Sequence, residues 1–223
     1  MSTLVTFVQS ETGSKHSLNE DSHLRRPDLG LFAVADGMGG YQGGAIASRA
    51  AVEVIDEYFP DALSANPTPA RALRESLLAA NFTIFESSAN NPRLIGMGTT
   101  LTAIHLQSDR LTVAHVGDSR GYRLRDGELT QLTVDHSTPR ADGHGYLLAR
   151  ALGVNERVEV DLVEDAVRSG DLYLLCSDGF CGFLEADAIA AALKQSDPCG
   201  ALHRAALMRG SDDDKTSLIV KIP

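Results

Sequence analysis

Two stretches of this chain end an apolar run with the same dipeptide. Leu31-Phe32-Ala33-Val34-Ala35 leads into Asp36-Gly37, and Leu172-Tyr173-Leu174-Leu175-Cys176 leads through Ser177 into Asp178-Gly179. A third acidic group, Asp212-Asp213-Asp214, stands just before a last apolar run from Ser217 to Ile222. A carboxylate at the end of a buried strand loses its water and needs a positive partner. No Lys or Arg lies within three residues of Asp36 or Asp178. Oxygen ligands suit hard ions such as Mg²⁺ or Mn²⁺, and a glycine after each Asp lets a backbone carbonyl approach the same ion. One Asp-Gly alone reads as a turn. Two copies after matched strands, with a third acid at a strand entrance, read as a cation site.

Composition narrows the alternatives. At 223 residues and 43% hydrophobic, the chain is long enough for a substantial core and is read as one domain over residues 1–223. Thirty acidic against 20 basic residues give a net charge of −10, which argues against a nucleic-acid groove. Cys176, Cys181 and Cys199 are an odd count without a CxxC pair, which excludes a disulfide framework and a zinc ribbon. A reducing, cytoplasmic setting is the expectation. Leu4 to Val8 is too short for a signal peptide, and nothing approaches the roughly 18 apolar residues of a membrane span.

Periodicity sets out the elements. Leu4–Val8 and Leu29–Ala35 read as strands, and Ile46, Ala50, Val54 and Tyr58 mark one face of a helix from Gly43 to Tyr58. Thr68-Pro69 opens a second helix that runs to about Ser88. Strands are expected at Thr99–Leu106, Leu111–Val116, Gly121–Leu124, Val158–Val163 and Leu172–Cys176. Helices are expected at Ala186–Lys194 and Cys199–Met208, then a final strand at Ser217–Ile222. This order suggests sheets covered by helices.

Three other motifs fail on context. Gly117-Asp118-Ser119-Arg120-Gly121 satisfies G-x-S-x-G, but the alternation after it is that of a strand, not the helix a nucleophile elbow needs. Gln42 stands where a dinucleotide fingerprint beginning at Gly37 would need glycine. A cysteine-dependent phosphatase needs Arg six residues after its nucleophile, and those positions hold Gly182, Asp187 and Ala205. Seven histidines include no HExxH pair, and only His16 and His23 lie near the acidic blocks in sequence.

Taken together, a series of blocks resembles the metal-dependent protein phosphatases of type 2C (PPM), in their compact bacterial form. The blocks are Asn19-Glu20-Asp21-Ser22, Val34-Ala35-Asp36-Gly37-Met38-Gly39-Gly40, Gly98-Thr99-Thr100 and Gly117-Asp118-Ser119-Arg120-Gly121-Tyr122. They continue through Leu132 to Ser137, Arg150-Ala151-Leu152-Gly153, Gly170-Asp171, Leu174 to Gly179, and Asp214 with Ser217 to Val220. The resemblance implies an α+β fold: a four-layer αββα sandwich of two mostly antiparallel sheets flanked by helix pairs. It also implies two Mn²⁺ or Mg²⁺ ions, with Asp36 bridging both, the Gly37 carbonyl on one, and Asp178 and Asp214 completing the other. Glu20 and Asp21 would stand in the outer shell. Asp118 is either the seat of a third, weaker ion or a turn residue. The implied reaction is attack of a metal-bridging hydroxide on a phosphomonoester, without a phosphoenzyme.

Four positions depart from the family pattern. His16 stands where an Arg usually grips phosphate, and an imidazole cannot reproduce the bidentate fork of guanidinium. Tyr41 replaces a His that would give a proton to the leaving group, so His16 and Tyr41 are the tentative catalytic side chains. Lys215 replaces an Asn, and is expected to pair with Asp212 or Asp213. The flap around residues 138–149 is short, with Asp142-Gly143-His144-Gly145 as its loop. The resemblance implies phosphoserine and phosphothreonine proteins as substrates, opposite a Ser/Thr kinase in bacterial signalling, and a monomer with neither nucleic acid nor membrane as partner. The competing reading is a weak or inactive phosphatase fold that binds and regulates a phosphoprotein.

Overall fold

The leading feature of the sheets is that their central strands are apolar on both faces. In the computed structural model, which describes residues 4–39, 42–65, 68–139 and 146–223, they are buried on both. One sheet is ordered β1 (Val5–Glu11), β13 (Lys215–Lys221), β12 (Leu172–Cys176), β7 (Arg120–Arg125) and β8 (Glu128–Gln131). The other is ordered β11 (Asp161–Ala166), β6 (Arg110–Val116), β5 (Leu101–Gln107), β3 (Leu31–Met38) and β2 (Asp21–Arg26), with β4 (Gly98–Thr99) paired to β3. All these pairings are antiparallel. Helices α1 (Gly43–Ala65) and α2 (Pro69–Asn90) cover the second sheet. Helices α3 (Asp178–Cys181), α4 (Ala186–Leu193) and α5 (Pro198–Met208) cover the first. A small ribbon of β9 (Ser137–Pro139) and β10 (Tyr146–Leu148) stands apart.

Strand alternation divides each central strand between two cores. Phe32 and Val34 of β3 face the interior between the sheets, with Tyr173, Leu175, Leu218 and Val220 of the opposing sheet. Leu31, Ala33 and Ala35 face α1 and α2, packed with Ile55, Phe59, Leu73 and Leu77. Such strands read as continuous apolar runs, because neither face meets water. The expected αββα sandwich is the observed architecture.

Three elements depart from expectation. The strand expected at Val158–Val163 begins three residues later, at Asp161. Val158 and Val160 instead pack on the helix-covered core, so their spacing reflects packing without a ladder. Helix α1 continues through Pro60 to Ala65, held by buried Phe59 and Ala62 on either side of the proline. Strand β2 has no apolar run to announce it, since Asp21-Ser22-His23-Leu24-Arg25-Arg26 is mostly polar. Its end is fixed to α1 by Arg26, which pairs with Asp56 and with Asp28.

One buried ion pair closes the end of the first sheet. Asp171 takes two donors from Arg125 at 2.7 Å each, the Arg168 amide at 2.7 Å and the Tyr173 hydroxyl at 3.0 Å. Asp171→Ala strands a largely buried guanidinium, and should cost on the order of 3 kcal/mol in urea unfolding. An unchanged midpoint would mean that Arg125 finds water without loss.

Candidate metal and phosphate site

The acidic residues meet at one end of the sandwich. Asp21 opposes Asp36 across the β2–β3 ladder. The backbone of Asp36 is held from the other side by two threonines: Thr100 Oγ1 accepts its N–H at 2.9 Å, while the Thr100 amide and Thr99 Oγ1 donate to its carbonyl at 2.8 and 2.9 Å. This is why the strand expected over Thr99–Leu106 is interrupted at Thr100. Thr100 Oγ1 also lies 2.6 Å from the buried Ser119 hydroxyl, which ties the turn carrying Asp118 to Asp36. Ser119 leads directly into strand β7, so the G-x-S-x-G match is not a nucleophile elbow.

Asp178 opens α3 on the other sheet, immediately after the buried Ser177. The Ser177 hydroxyl donates to Asp21 Oδ2 at 2.7 Å and accepts from the Thr216 amide at 3.0 Å. The two sheets are thereby tied together beside the carboxylates. Backbone packing is equally close. A Cβ on Gly37 would stand 2.1 Å from the Gly44 carbonyl oxygen, and one on Gly44 would stand 2.8 Å from the Glu20 carboxylate. Gly37→Ala should therefore lose folded protein rather than activity alone, read by circular dichroism. A folded Gly37→Ala variant with full activity would show that this approach is dispensable.

Electrostatics mark these carboxylates as unsatisfied. Among the described residues, none of Asp21, Asp36, Asp118 and Asp178 has an ion-pair partner within 4.0 Å. Burial holds the Asp36 carboxyl well above the usual carboxylate range, reinforced by Asp21, Asp178 and Asp118. Asp178 is raised by burial and by Asp213. Burial pushes Asp21 up to about 7 against the hydroxyls of Ser177 and Thr216, and pushes Asp118 up to about 6. Burial also raises Glu20. Carboxylates crowded in this way must share a proton or a cation.

The donor set fits a hard divalent ion. Asp21 Oδ1 is buried with no hydrogen-bond donor, and the remaining groups are carboxylates and carbonyls. Among the described residues no three His, Cys, Asp or Glu side chains already stand as a closed metal cage, so bound ions would have to draw the carboxylates together.

Asp214 is already engaged by backbone and imidazole donors. Its Oδ1 accepts the Gly13 amide at 2.7 Å, and its Oδ2 accepts the Glu20 amide at 2.7 Å and contacts His16 Nδ1 at 2.9 Å. Three donors already occupy its two oxygens, whereas the neighbouring Asp213 is the carboxylate that bears on Asp178. Three aspartates in a row offer no internal register, so spacing alone does not separate Asp213 from Asp214.

The other expected side chains are accounted for in turn. His16 is tied down by Asp214, and that hydrogen bond raises its pKa. Lys15 pairs with Asp212 at 2.7 Å. Lys215 does not pair with the Asp212 or Asp213 carboxylates as expected. It is 2% exposed and donates to the Asp213 backbone carbonyl at 2.5 Å. Tyr41 and the loop Asp142–Gly145 lie outside the described residues. His136 accepts the Gly117 amide at 3.1 Å, and both His136 and Arg150 bond Asp161, which braces the turn before Asp118. The three cysteines are buried and free.

The sequence profile described as protein phosphatase 2C matches residues 9–212. The chain is 36% identical over 235 residues to the serine/threonine protein phosphatase PstP of Mycobacterium tuberculosis, covering 96% of this chain and 44% of that protein. The chain thus spans about half the length of that relative. It is 33% identical over 211 residues to the serine/threonine phosphatase stp of Listeria monocytogenes, covering 86% of this chain and 84% of that one. The solved catalytic domain of PstP in complex with two manganese ions superposes with a TM-score of 0.85 at 35% identity, covering 99% of each chain. The chain belongs to the protein phosphatase 2C family.

Proposed function

We propose that this chain is a metal-dependent serine/threonine phosphoprotein phosphatase, acting as one catalytic domain over residues 1–223 with a short flap at 138–149. The observation that carries the reading is the pair Asp36 and Asp178, half-buried carboxyls that bear on one another and lack any basic partner among the described residues. Asp36 and the Gly37 carbonyl would hold the ions from one sheet, and Asp178 from the other. Asp213 takes the place first given to Asp214. Glu20 and Asp21 would stand behind as outer acids, and Asp118 would seat a third, weaker ion. Divalent ions, when bound, activate water and neutralise phosphoryl oxygens.

The chain's own residues supply the rest. Asp214 orients His16 through Nδ1, so the imidazole can present its other nitrogen to a substrate phosphate. Tyr41 follows the Asp36–Gly40 block and is a candidate donor to the leaving oxygen. Substrates would be phosphoserine and phosphothreonine proteins opposite a bacterial kinase, met by a monomer in the cytoplasm. Among the described residues no helix is long and apolar enough to cross a membrane.

The test is phosphate release from a phosphothreonine peptide. Release that requires Mn²⁺, and that EDTA and Asp36→Asn both abolish, is the expected result. Mn²⁺ binding without release across a panel of phosphopeptides would favour a phosphoprotein-binding module instead.

A further inference from the structure

An open cavity starts beside the carboxylates and runs along the edge of the first sheet. It holds 370 Å³ between β7 and β8 on one side and the turn from α3 into α4 on the other, with Arg120, Tyr122, Leu129, Gln131, Phe183 and Glu185 on its wall. The volume falls within the range of ligand sites. That wall is shared with the acidic site. The Gly182 amide donates to the Asp178 carbonyl at 2.8 Å, and Cys181 Sγ lies 3.8 Å from the Asp118 carbonyl oxygen, both residues lining the cavity. Arg120 follows Asp118 by two residues.

The positive group on this wall is already spent. Arg120 gives Nε and Nη2 to the Asp135 carboxylate at 2.6 to 3.0 Å, and Nη1 to the Tyr122 hydroxyl at 3.1 Å and the Cys181 carbonyl at 3.2 Å. The negative group is not. Glu185 is exposed and stands at the N-cap of α4, yet its side chain makes no bond to the start of the helix. Among the described residues its carboxylate has no ion-pair partner. Gln131 spends its amide nitrogen on the Thr133 carbonyl and the Asp135 carboxylate at 3.0 and 3.1 Å, which leaves its own carbonyl oxygen as an acceptor. Asp187 adds a further carboxylate in the first turn of α4, so the positive end of that helix is answered within the chain. An incoming anion meets these carboxylates with no unpaired cation to receive it. A lysine or arginine side chain meets acceptors for its head, and Leu129 and Phe183 for its methylene stem.

We propose that this cavity receives a lysine or arginine side chain of the phosphoprotein, with Glu185 as the residue that sets the preference. The chain from Asp118 to Tyr122 spans four residues, at most about 14 Å, and a substrate peptide has the same reach per residue. The basic residue therefore lies within about four positions of the phosphorylated one. The inference rests on the phosphatase reading of the acidic site and adds to it a selection by flanking sequence.

The probes are phosphothreonine peptides with a single arginine placed in turn at each flanking position, in an alanine background, beside matched glutamate and all-alanine series. With Mn²⁺, arginine at one or two neighbouring positions should raise kcat/KM about threefold over alanine, through KM, and glutamate there should lower it. Phosphonate analogues of the same peptides, which resist hydrolysis, should give the same order of affinity by fluorescence anisotropy whether or not the chain turns substrate over. Glu185→Gln should bring the arginine and alanine peptides level, and Glu185→Lys should turn the preference to glutamate. Hydrolysis of p-nitrophenyl phosphate, which has no flanking residues, reads the phosphatase centre separately, so its absence counts against that reading and not against the cavity. The proposal is overturned if the arginine series is flat in both turnover and anisotropy, or if its preference survives Glu185→Lys.

Discussion

Asp36→Asn should make the metal-free chain more stable and the enzyme inert. Asp36 is half-buried and crowded by Asp21, Asp178 and Asp118, so the apo fold carries repulsion that an amide removes. Replacing one buried charge in such a cluster is worth about 1–4 kcal/mol of stability. Activity and Mn²⁺ affinity should fall by at least about 100-fold, beyond the loss seen when only an outer partner of a metal ligand is removed. Urea unfolding in EDTA and calorimetric Mn²⁺ titration give the two readouts. Destabilisation of the apo variant would mean that Asp36 has a cationic partner after all.

The same repulsion fixes the sign of the pH dependence. Asp21 at about 7 and Asp118 at about 6 stand above the ordinary 3.8, so the folded chain binds protons that the unfolded chain releases. Stability of the metal-free chain therefore falls as pH rises from about 4 to about 7, and is recovered on acidification through the same window. With Mn²⁺ present the slope should reverse, because ions bind only the deprotonated carboxylates. Parallel slopes in EDTA and in Mn²⁺ would exclude ion binding at these groups.

The second large effect separates two adjacent aspartates. Asp213→Asn should lower Mn²⁺ affinity by about 100-fold while the apo protein unfolds near the wild-type midpoint. Asp214→Ala should do the opposite. It leaves the Gly13 and Glu20 amides and His16 without their acceptor, at about 1–3 kcal/mol for each buried donor. Its Mn²⁺ affinity should then change far less than its stability. If Asp214→Asn, which keeps one carbonyl oxygen, loses manganese as completely as Asp213→Asn, the assignment of the two residues is reversed.

What could be read from the sequence follows from local physics. The twin Asp-Gly strand ends were legible because β3 and β12 are apolar on both faces, which makes each carboxylate conspicuous. Sheets covered by helices were legible from the same runs together with the spacing of the two helix pairs, whereas the four-layer αββα order was implied by the family resemblance. Strand β2 was not, because its partners on the ladder are backbone groups and its side chains answer to Asp56 and Asp28. The donors that hold Asp214 were not, because Gly13 and Glu20 lie roughly 200 positions away in the chain. Lys215 misled for the same reason: a buried ammonium took the nearest carbonyl instead of a carboxylate.

The placement of the acids on both sheets has a mechanical consequence. Asp21 and Asp36 belong to one sheet, and Asp178 to the other, joined near the site by the Ser177 hydroxyl. An ion held by both would be a rivet through two plates. Whatever changes the spacing of the plates must then register as a change in grip on the ion. A cavity cut into the layer between them, as by Phe32→Ala, should loosen manganese from a distance, and manganese should in turn resist the slackening of that layer.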